Sequence, residues 1–427
     1  MKLGLAGAFA AAVLSLTLPA TSAASEFIRY GVQDDAYLSV DPSLDARLGT
    51  LDDLGAELVR TMVSWRQVAP TRPRHPTDPA DRAYDWTRTD AVLEGLHAHG
   101  IAVLVTLYRV PRWANGGRGS SGMPSSRYSL AAFAVAVAKR YPFVRLWEVW
   151  NEPNLQSFLK PNSPRLYVRR LLNPTYFALH ALNPSNRVAG GATSPRSTNT
   201  GLSPVAFMRG MRRAHARLDA YSHHPYPVTR GERPFGFARG VCRYCTGVLT
   251  LANLPKLLGE VRRDFGPKRI WLTEYSYQTK PSDPYSVPQR LQAQYIAESA
   301  LRVRQASFVD ILVHFIVRDE SRLNGWQSGL FSTSGLPKPA YKSFRLPIVQ
   351  AARRGLLTTI WGQVRPGSGR RRYRLERRAN GRWLSVGPPA MTSGRGFYTR
   401  RVWAKHGTRF RIVVPELGAT SRSILVH

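Results

Sequence analysis

Residues Leu146–Asn154 read LWEVWNEPN. Apolar side chains dominate up to Trp150, which describes a buried strand, and Pro153 ends it because proline brings no N–H to the ladder. Two glutamates interrupt this run. A buried carboxylate is costly unless something pairs with it or uses it. Strict alternation would put Glu148, Trp150 and Glu152 on one face. Glu148 would then point into the interior, with Arg60 as its expected salt-bridge partner. Glu152, at the strand's end, is the first candidate for chemistry.

The same pattern extends in both directions. Strand-like runs FIRYGVQ, AELVRTMVSW, IAVLVTLYRV, FVRLWEVWN, RVAGGATS, DAYSHHPY, RIWLTEYSY and DILVHFIVR follow one another between Phe27 and Arg318. Amphipathic stretches separate them: WTRTDAVLEGLHAHG, SLAAFAVAVAKRYP, SPVAFMRGMRRAHARL, LANLPKLLGEVRRDFG and PQRLQAQYIAESALRVRQ. Their apolar residues recur at three and four positions, as a helix facing a core requires. Eight strands alternating with helices point to an α/β chain built as a (β/α)8 barrel. A doubly wound open sheet would want a glycine-rich phosphate turn after the first strand, which is missing. KPAYKSFRLPIVQ reads as a closing helix. From Leu356 the pattern becomes short alternating strands, with Asn380-Gly381 as a hairpin turn, and predicts a small immunoglobulin- or fibronectin-like β-sandwich. The expected organisation is therefore a signal peptide at 1–24, the barrel at 25–350 and the sandwich at 351–427.

The first 24 residues carry Lys2, an apolar run and the small residues TSAAS, the order of a secretory signal. With no charged stop-transfer flank, a membrane anchor is the weaker reading, and no other run is apolar enough to span a bilayer. Export of the mature chain is expected. Cys242 and Cys245 form the sole CxxC, too few for a tetrahedral zinc site, and a local disulfide fits export better. His223 and His224 are neighbours on a strand and point to opposite faces, so no metal and no other cofactor is expected.

Lys and Arg number 61 against 27 Asp and Glu, a net charge of +34, so an anionic partner is in view. Nucleic acid is discounted, since the chain shows no zinc-finger spacing, basic-region helix or aromatic RNA-binding motif. The last 77 residues hold 17 basic residues and two acidic ones, which leaves contact with a cell-surface or wall polymer open for that module.

In a barrel of this kind, reactive side chains stand at the carboxyl ends of strands. Glu152 ends the fourth strand and Glu274 the seventh, across the mouth. Two facing carboxylates are what cleavage of a glycosidic bond requires. Two unrelated glutamates paired with some of the many arginines would give the same spacing. The neighbourhoods decide: WNEPN and TEYSY resemble the acid/base and nucleophile motifs of the clan A retaining glycoside hydrolases, nearest families 39 and 5. Arg60 in LVRTMVSW, the run from Tyr84 through GIAVLVTLYRVPRWA, His224-Pro225-Tyr226, and SGL with GLPKPAY agree in order over residues 30 to 347. The resemblance implies that Glu152 is general acid and then base, its pKa raised by the nearby charge of Glu274, and that Glu274 is nucleophile. It implies that Arg60 and Tyr226 hold Glu274 ionised, that Asn151 bonds a sugar 2-hydroxyl, and that His224 lies beside the scissile bond. Glu148 would support the site from beneath. Trp113, Trp65 and Trp326 are candidate platforms for sugar rings. Strand eight lacks the tryptophan that many relatives place under the reactive sugar, and Trp326 could fill that space from the loop.

The implied substrate is a poly- or oligosaccharide. The arginines of TRGERPFGFARGVCRYC, expected over the mouth, hint at an acidic sugar. The alternative is a carbohydrate-binding protein without turnover that anchors to an anionic glycan.

Overall fold

The computed structural model describes residues 27–197, 200–238, 246–279 and 283–427. The expected signal peptide and the Cys242–Cys245 pair lie outside the described residues.

Eight parallel strands close a barrel in chain order: β1 (Arg29–Gln33), β2 (Leu58–Ser64), β3 (Ala102–Tyr108), β4 (Leu146–Val149), β5 (Arg187–Thr193), β6 (Ala220–His223), β7 (Arg269–Tyr275) and β8 (Val309–Phe315). β8 returns to β1, with Arg29 opposite Ile311 and Gln33 opposite Phe315. All eight expected strands are present.

The period of two explains how the interior is divided. Leu58, Leu104, Ala220, Trp271 and Ile311 form an apolar cluster inside the barrel. Two residues further along their strands stand Arg60, Thr106, Ser222, Thr273 and Val313. The same faces are therefore apolar at the floor and mostly polar one level nearer the mouth.

Helices Thr87–Ala98, Ser129–Arg140, Pro204–Arg213, Leu254–Phe265 and Gln289–Arg304 occupy the five expected stretches. Two others, Leu44–Leu54 and Asn173–Leu182, were not read from the sequence. Pro174 looks like a breaker in the second. It is tolerated because it falls in the first turn of that helix, directly after a π-helical segment at Val168–Leu172.

The closing helix is shorter than expected, Pro339–Arg345, and LPIVQ leaves it as strand β9 (Ile348–Arg354). Pro347 disfavours helical geometry at Leu346, which stops the helix there. β10 (Leu357–Gln363), β14 (Phe397–Trp403) and β9 form one antiparallel sheet. β11 (Arg372–Ala379), β12 (Arg382–Ser385), β15 (Arg409–Val414) and β16 (Ala419–Thr420) form a second, to which β13 (Ala390–Met391) and β17 (Ile424–Leu425) attach. The β11–β12 turn is at Asn380 and Gly381, both at positive φ (47° and 73°), as a two-residue hairpin of this hand demands. Ile348, Ile360, Tyr398 and Val402 of the first sheet share a core with Tyr373, Leu375, Phe410 and Ile412 of the second.

Against the barrel, Arg365 lies over the ring of Tyr30 at 3.8 Å and that of Phe344 at 4.7 Å. Arg395 donates to the Ile28 carbonyl at 2.7 Å and to Glu57 at 3.1 Å. A β-carbon on Gly55, at φ +74°, would come within 2.6 Å of the Arg365 backbone. Barrel and sandwich are thus packed backbone to backbone.

Candidate active site

β4 ends at Val149, and the chain then turns through positive φ at Trp150 (76°) and Glu152 (40°). The alternation expected to run on to Glu152 breaks here. Trp150 is fully buried, donates its indole N–H to the Phe158 carbonyl at 3.0 Å and meets Tyr108 edge-on at 5.2 Å. Backbone bonds hold the turn on both sides: the Trp150 amide donates to Leu107 and the Glu152 amide to Ala192.

Glu148 behaves as the sequence predicts. It is fully buried, accepts from Arg60 Nε at 2.7 Å and from Thr106 Oγ1 at 2.8 Å, and is also bonded by Ser222. Burial works to raise its pKa, but the Arg60 charge and these bonds outweigh that and hold it below the usual value. Arg60 is the hub of the layer. It also donates to Asn151 Oδ1 at 2.8 Å, and its Nη1 reaches both Gln33 and Glu274. With its oxygen committed to Arg60, Asn151 presents its amide nitrogen to the cavity.

Glu274 further accepts from the Tyr226 hydroxyl at 2.9 Å. Burial, and then the Glu274 charge, push the Tyr226 phenol well above its ordinary pKa, so it remains a donor. His224 Nδ1 lies 3.0 Å from Glu152 Oε1 and 3.7 Å from Glu274 Oε2. Those two carboxylate oxygens, meeting at one nitrogen, are therefore less than 7 Å apart. Burial lowers the His224 pKa, but the two carboxylates outweigh it and the net shift is upward. For Glu152 the largest cause is burial, which raises its pKa. The bond to His224 opposes that, and the Glu274 charge adds to it. The Glu274 charge expected as the cause is present, but burial is the larger one.

His223 turns the other way, with Nδ1 2.8 Å from Thr193 Oγ1 and Nε2 2.9 Å from the Leu249 carbonyl. Among the described residues no group of three or more His, Cys, Asp or Glu side chains is placed to hold a metal ion.

A cavity of about 450 Å³ opens over these groups, lined by Asn151, Glu152, Tyr226, Glu274 and Trp326 among the expected residues. Trp326 stands 5.2 Å from the Tyr226 ring and edge-on to Phe315 at 5.0 Å. The aromatic that ends β8 is Phe315, where the sequence has no tryptophan. Trp113 and Trp65 are corrected. Trp65 is buried and stacks on Phe133, while Trp113 meets Trp65 edge-on and bonds the Ala69 carbonyl at 2.9 Å. Neither lines the cavity, because the chain past β2 and β3 folds both indoles into the helical layer.

From the long segment after His224, Tyr226, Pro227 and Val228 reach the cavity, whereas Arg230 and Arg233 do not. The arginine that does is Arg196, from the loop after β5. Gln33, Asp283 and Tyr285 were also missed. Gln33 was legible as the last residue of a barrel strand; the other two lie in a loop with no periodic signal.

No protein-family model matches the chain. Among curated proteins, a β-xylosidase of Caldicellulosiruptor saccharolyticus is 25% identical over 217 residues, 48% of this chain and 41% of that protein. The chain thus spans about two fifths of the length of the curated relative it matches. A family 39 glycoside hydrolase from Bacteroides cellulosilyticus WH2 superposes with a TM-score of 0.59 at 18% identity, over 88% of this chain and 81% of that one. The family 39 enzyme of Xanthomonas axonopodis pv. citri gives 0.55 at 16%, over 90% and 93%. A glucosidase from Croceicoccus marinus gives 0.59 at 14%, over 89% and 97%. The chain is similar in fold to these glycoside hydrolases, two of them of family 39.

Proposed function

We propose that the chain is a secreted retaining glycoside hydrolase that cleaves O-glycosidic bonds of a poly- or oligosaccharide by double displacement. The observation that carries this reading is the pair Glu152 and Glu274 meeting at one His224 nitrogen above a buried arginine. Retaining chemistry wants carboxyls about 5–5.5 Å apart, inverting chemistry about 6.5–9.5 Å. A separation below 7 Å favours the first. The name of the β-xylosidase relative supports glycosidase activity.

In the first step a Glu274 oxygen attacks the anomeric carbon as the bond to the leaving oxygen breaks, and the Glu152 proton passes to that oxygen. Burial keeps Glu152 protonated to higher pH than a solvated carboxyl, as a general acid needs. Arg60 and Tyr226 leave Glu274 with one oxygen bonded to each, so its position is fixed before attack. In the second step water attacks the same carbon, Glu152 takes the water's proton, and the bond to Glu274 breaks. The Asn151 amide is placed to bond a sugar hydroxyl, and Trp326 with Phe315 forms an aromatic wall for a ring. The scheme uses no cofactor. Export rests on the amino-terminal signal pattern of the sequence.

The test is product analysis on a panel of neutral and uronate-containing glycans, with Glu152→Gln and Glu274→Gln as controls. Cleavage by the unsubstituted protein alone supports the reading. Binding of one glycan by all three forms with no cleavage by any would instead favour the binding protein without turnover.

A further inference from the structure

We propose that a trough adjoining the cavity is an anion-recognising subsite, taking a carboxylate or sulfate carried by a sugar near the one being cleaved. The trough measures about 590 Å³ and is walled by Asp35, Ser64, Arg66, Arg88, Tyr108 and Arg109. Met62 lines both it and the cavity over Glu152 and Glu274, so the two hollows are neighbours across that side chain.

In so basic a protein three arginines on one wall mean little by themselves. Their partners are more informative. Surface arginines such as Arg140 and Arg269 are paired with Asp90 and Asp310. None of the trough's three meets a carboxylate among the described residues. Arg88 donates to the Asp35 backbone carbonyl at 2.8 Å, Arg109 to the Ser120 hydroxyl at 3.0 Å, and the Arg66 guanidinium has no bond partner there. The one acid in the wall is turned inward, since Asp35 accepts from Thr61 Oγ1 and the Met62 amide at 2.9 Å and from Gln33 at 3.2 Å.

The second observation is independent of charge. Tyr108 is 4% exposed, and its hydroxyl has no hydrogen-bond partner. A buried hydroxyl left unpaired costs free energy that a ligand oxygen would recover. Burial pushes this phenol up to about 12, the Arg109 charge opposing and the Glu152 and Glu274 charges adding to it, so it stands as a donor. Donors with no acceptor among them fit an oxyanion. Tyr108 also packs on Trp150, two residues from Glu152, which places the anion close to the proposed acid.

This inference rests on the hydrolase reading for turnover but not for binding, so binding is measured separately. The probes are three xylo-oligosaccharides of equal length: neutral, glucuronate-bearing and sulfate-bearing. Calorimetry on full-length Glu274→Gln compares their affinities with and without Arg66→Ala or Tyr108→Phe, and Arg66→Lys serves as the charge-retaining control. We expect one charged probe to bind better than the neutral one. Adding Arg66→Ala should cut that preference about tenfold, as loss of a bond to a charged group does, and Arg66→Lys should restore part of it. Whether glucuronate or sulfate shows the effect identifies the anion. Equal affinity for all three probes, or a preference untouched by both Arg66→Ala and Tyr108→Phe, overturns the subsite. Cleavage by the unsubstituted protein with no such preference would remove the subsite and leave the hydrolase standing. An Arg66-dependent preference without cleavage would do the reverse.

Discussion

Among the described residues, two arginines are sealed inside the fold and handled in opposite ways. Arg60, at the barrel mouth, meets the carboxylates of Glu148 and Glu274 as well as Gln33 and Asn151. Arg365, where sandwich meets barrel, meets two neutral oxygens, Gln363 Oε1 at 2.9 Å and the Phe344 carbonyl at 2.7 Å, between two aromatic rings. Burial disfavours both charges. At Arg60 the glutamates outweigh it and raise the pKa, whereas at Arg365 burial prevails and the pKa is lowered. A buried cation surrounded by acids organises charge for chemistry. One surrounded by rings and carbonyls fastens two layers together.

The sharpest break in this comparison would come from the acids around Arg60. Glu274→Gln should reduce kcat by at least about 10⁴-fold, as loss of a covalent nucleophile does. Glu152→Gln should cost about 10²–10⁴-fold, the range for a general acid. Product formation over hours measures both, and turnover retained by Glu274→Gln would remove it from the chemistry.

Arg60→Met should destabilise the fold by about 3–5 kcal/mol, because Glu148 is left as an unpaired buried charge. Arg365→Met leaves two neutral acceptors unpaired, at about 1–3 kcal/mol each, but it also removes a buried charge whose Nη2 has no partner, which offsets part of that cost. Urea melts should show this order, with activity lost in the first variant and kept in the second. Equal destabilisation would erase the distinction between the two sites.

Tyr226→Phe removes one donor to Glu274. A fall in kcat/KM of about 10–100-fold is expected for a bond to a charged group. No change would mean that Arg60 alone positions the carboxylate.

The smallest effect is in pH. In the proposed mechanism Glu152 is protonated for the first step, so the alkaline limb of kcat/KM should lie above the ordinary glutamate value of 4.5. His224 opposes the upward shift, so His224→Gln should move that limb to higher pH; movement to lower pH would refute the assignment. A raised carboxyl pKa contributes stability below its ordinary value and loses it as pH rises through the folded value. The unsubstituted protein should therefore lose stability relative to Glu152→Gln from about pH 4.5 upward.

The barrel was legible because its strands are continuous apolar runs separated by periodic helices. The candidate carboxylates were legible because barrel chemistry collects at strand ends. The Arg60–Glu148 pair followed from one argument, that a buried carboxylate needs a cation. What failed was local geometry. Positive φ at Trp150 and Glu152 broke an alternation that the letters alone continue. Trp113 and Trp65 were read for their chemistry, but the loops that carry them fold into the helical layer. Pro174 hid a helix because a π-helical segment accommodates it.

The most direct test of the central claim is the mass of the peptide carrying Glu274 after exposure to 2-deoxy-2-fluoro-β-glycosides of xylose and glucose with a good leaving group. The fluorine slows both steps and the good leaving group restores the first, so the glycosyl-enzyme accumulates. The account predicts a glycosyl adduct on Glu274 of the unsubstituted protein and none in Glu274→Gln. An adduct on another residue, or hydrolysis of the parent glycoside with inversion and no adduct, would contradict it.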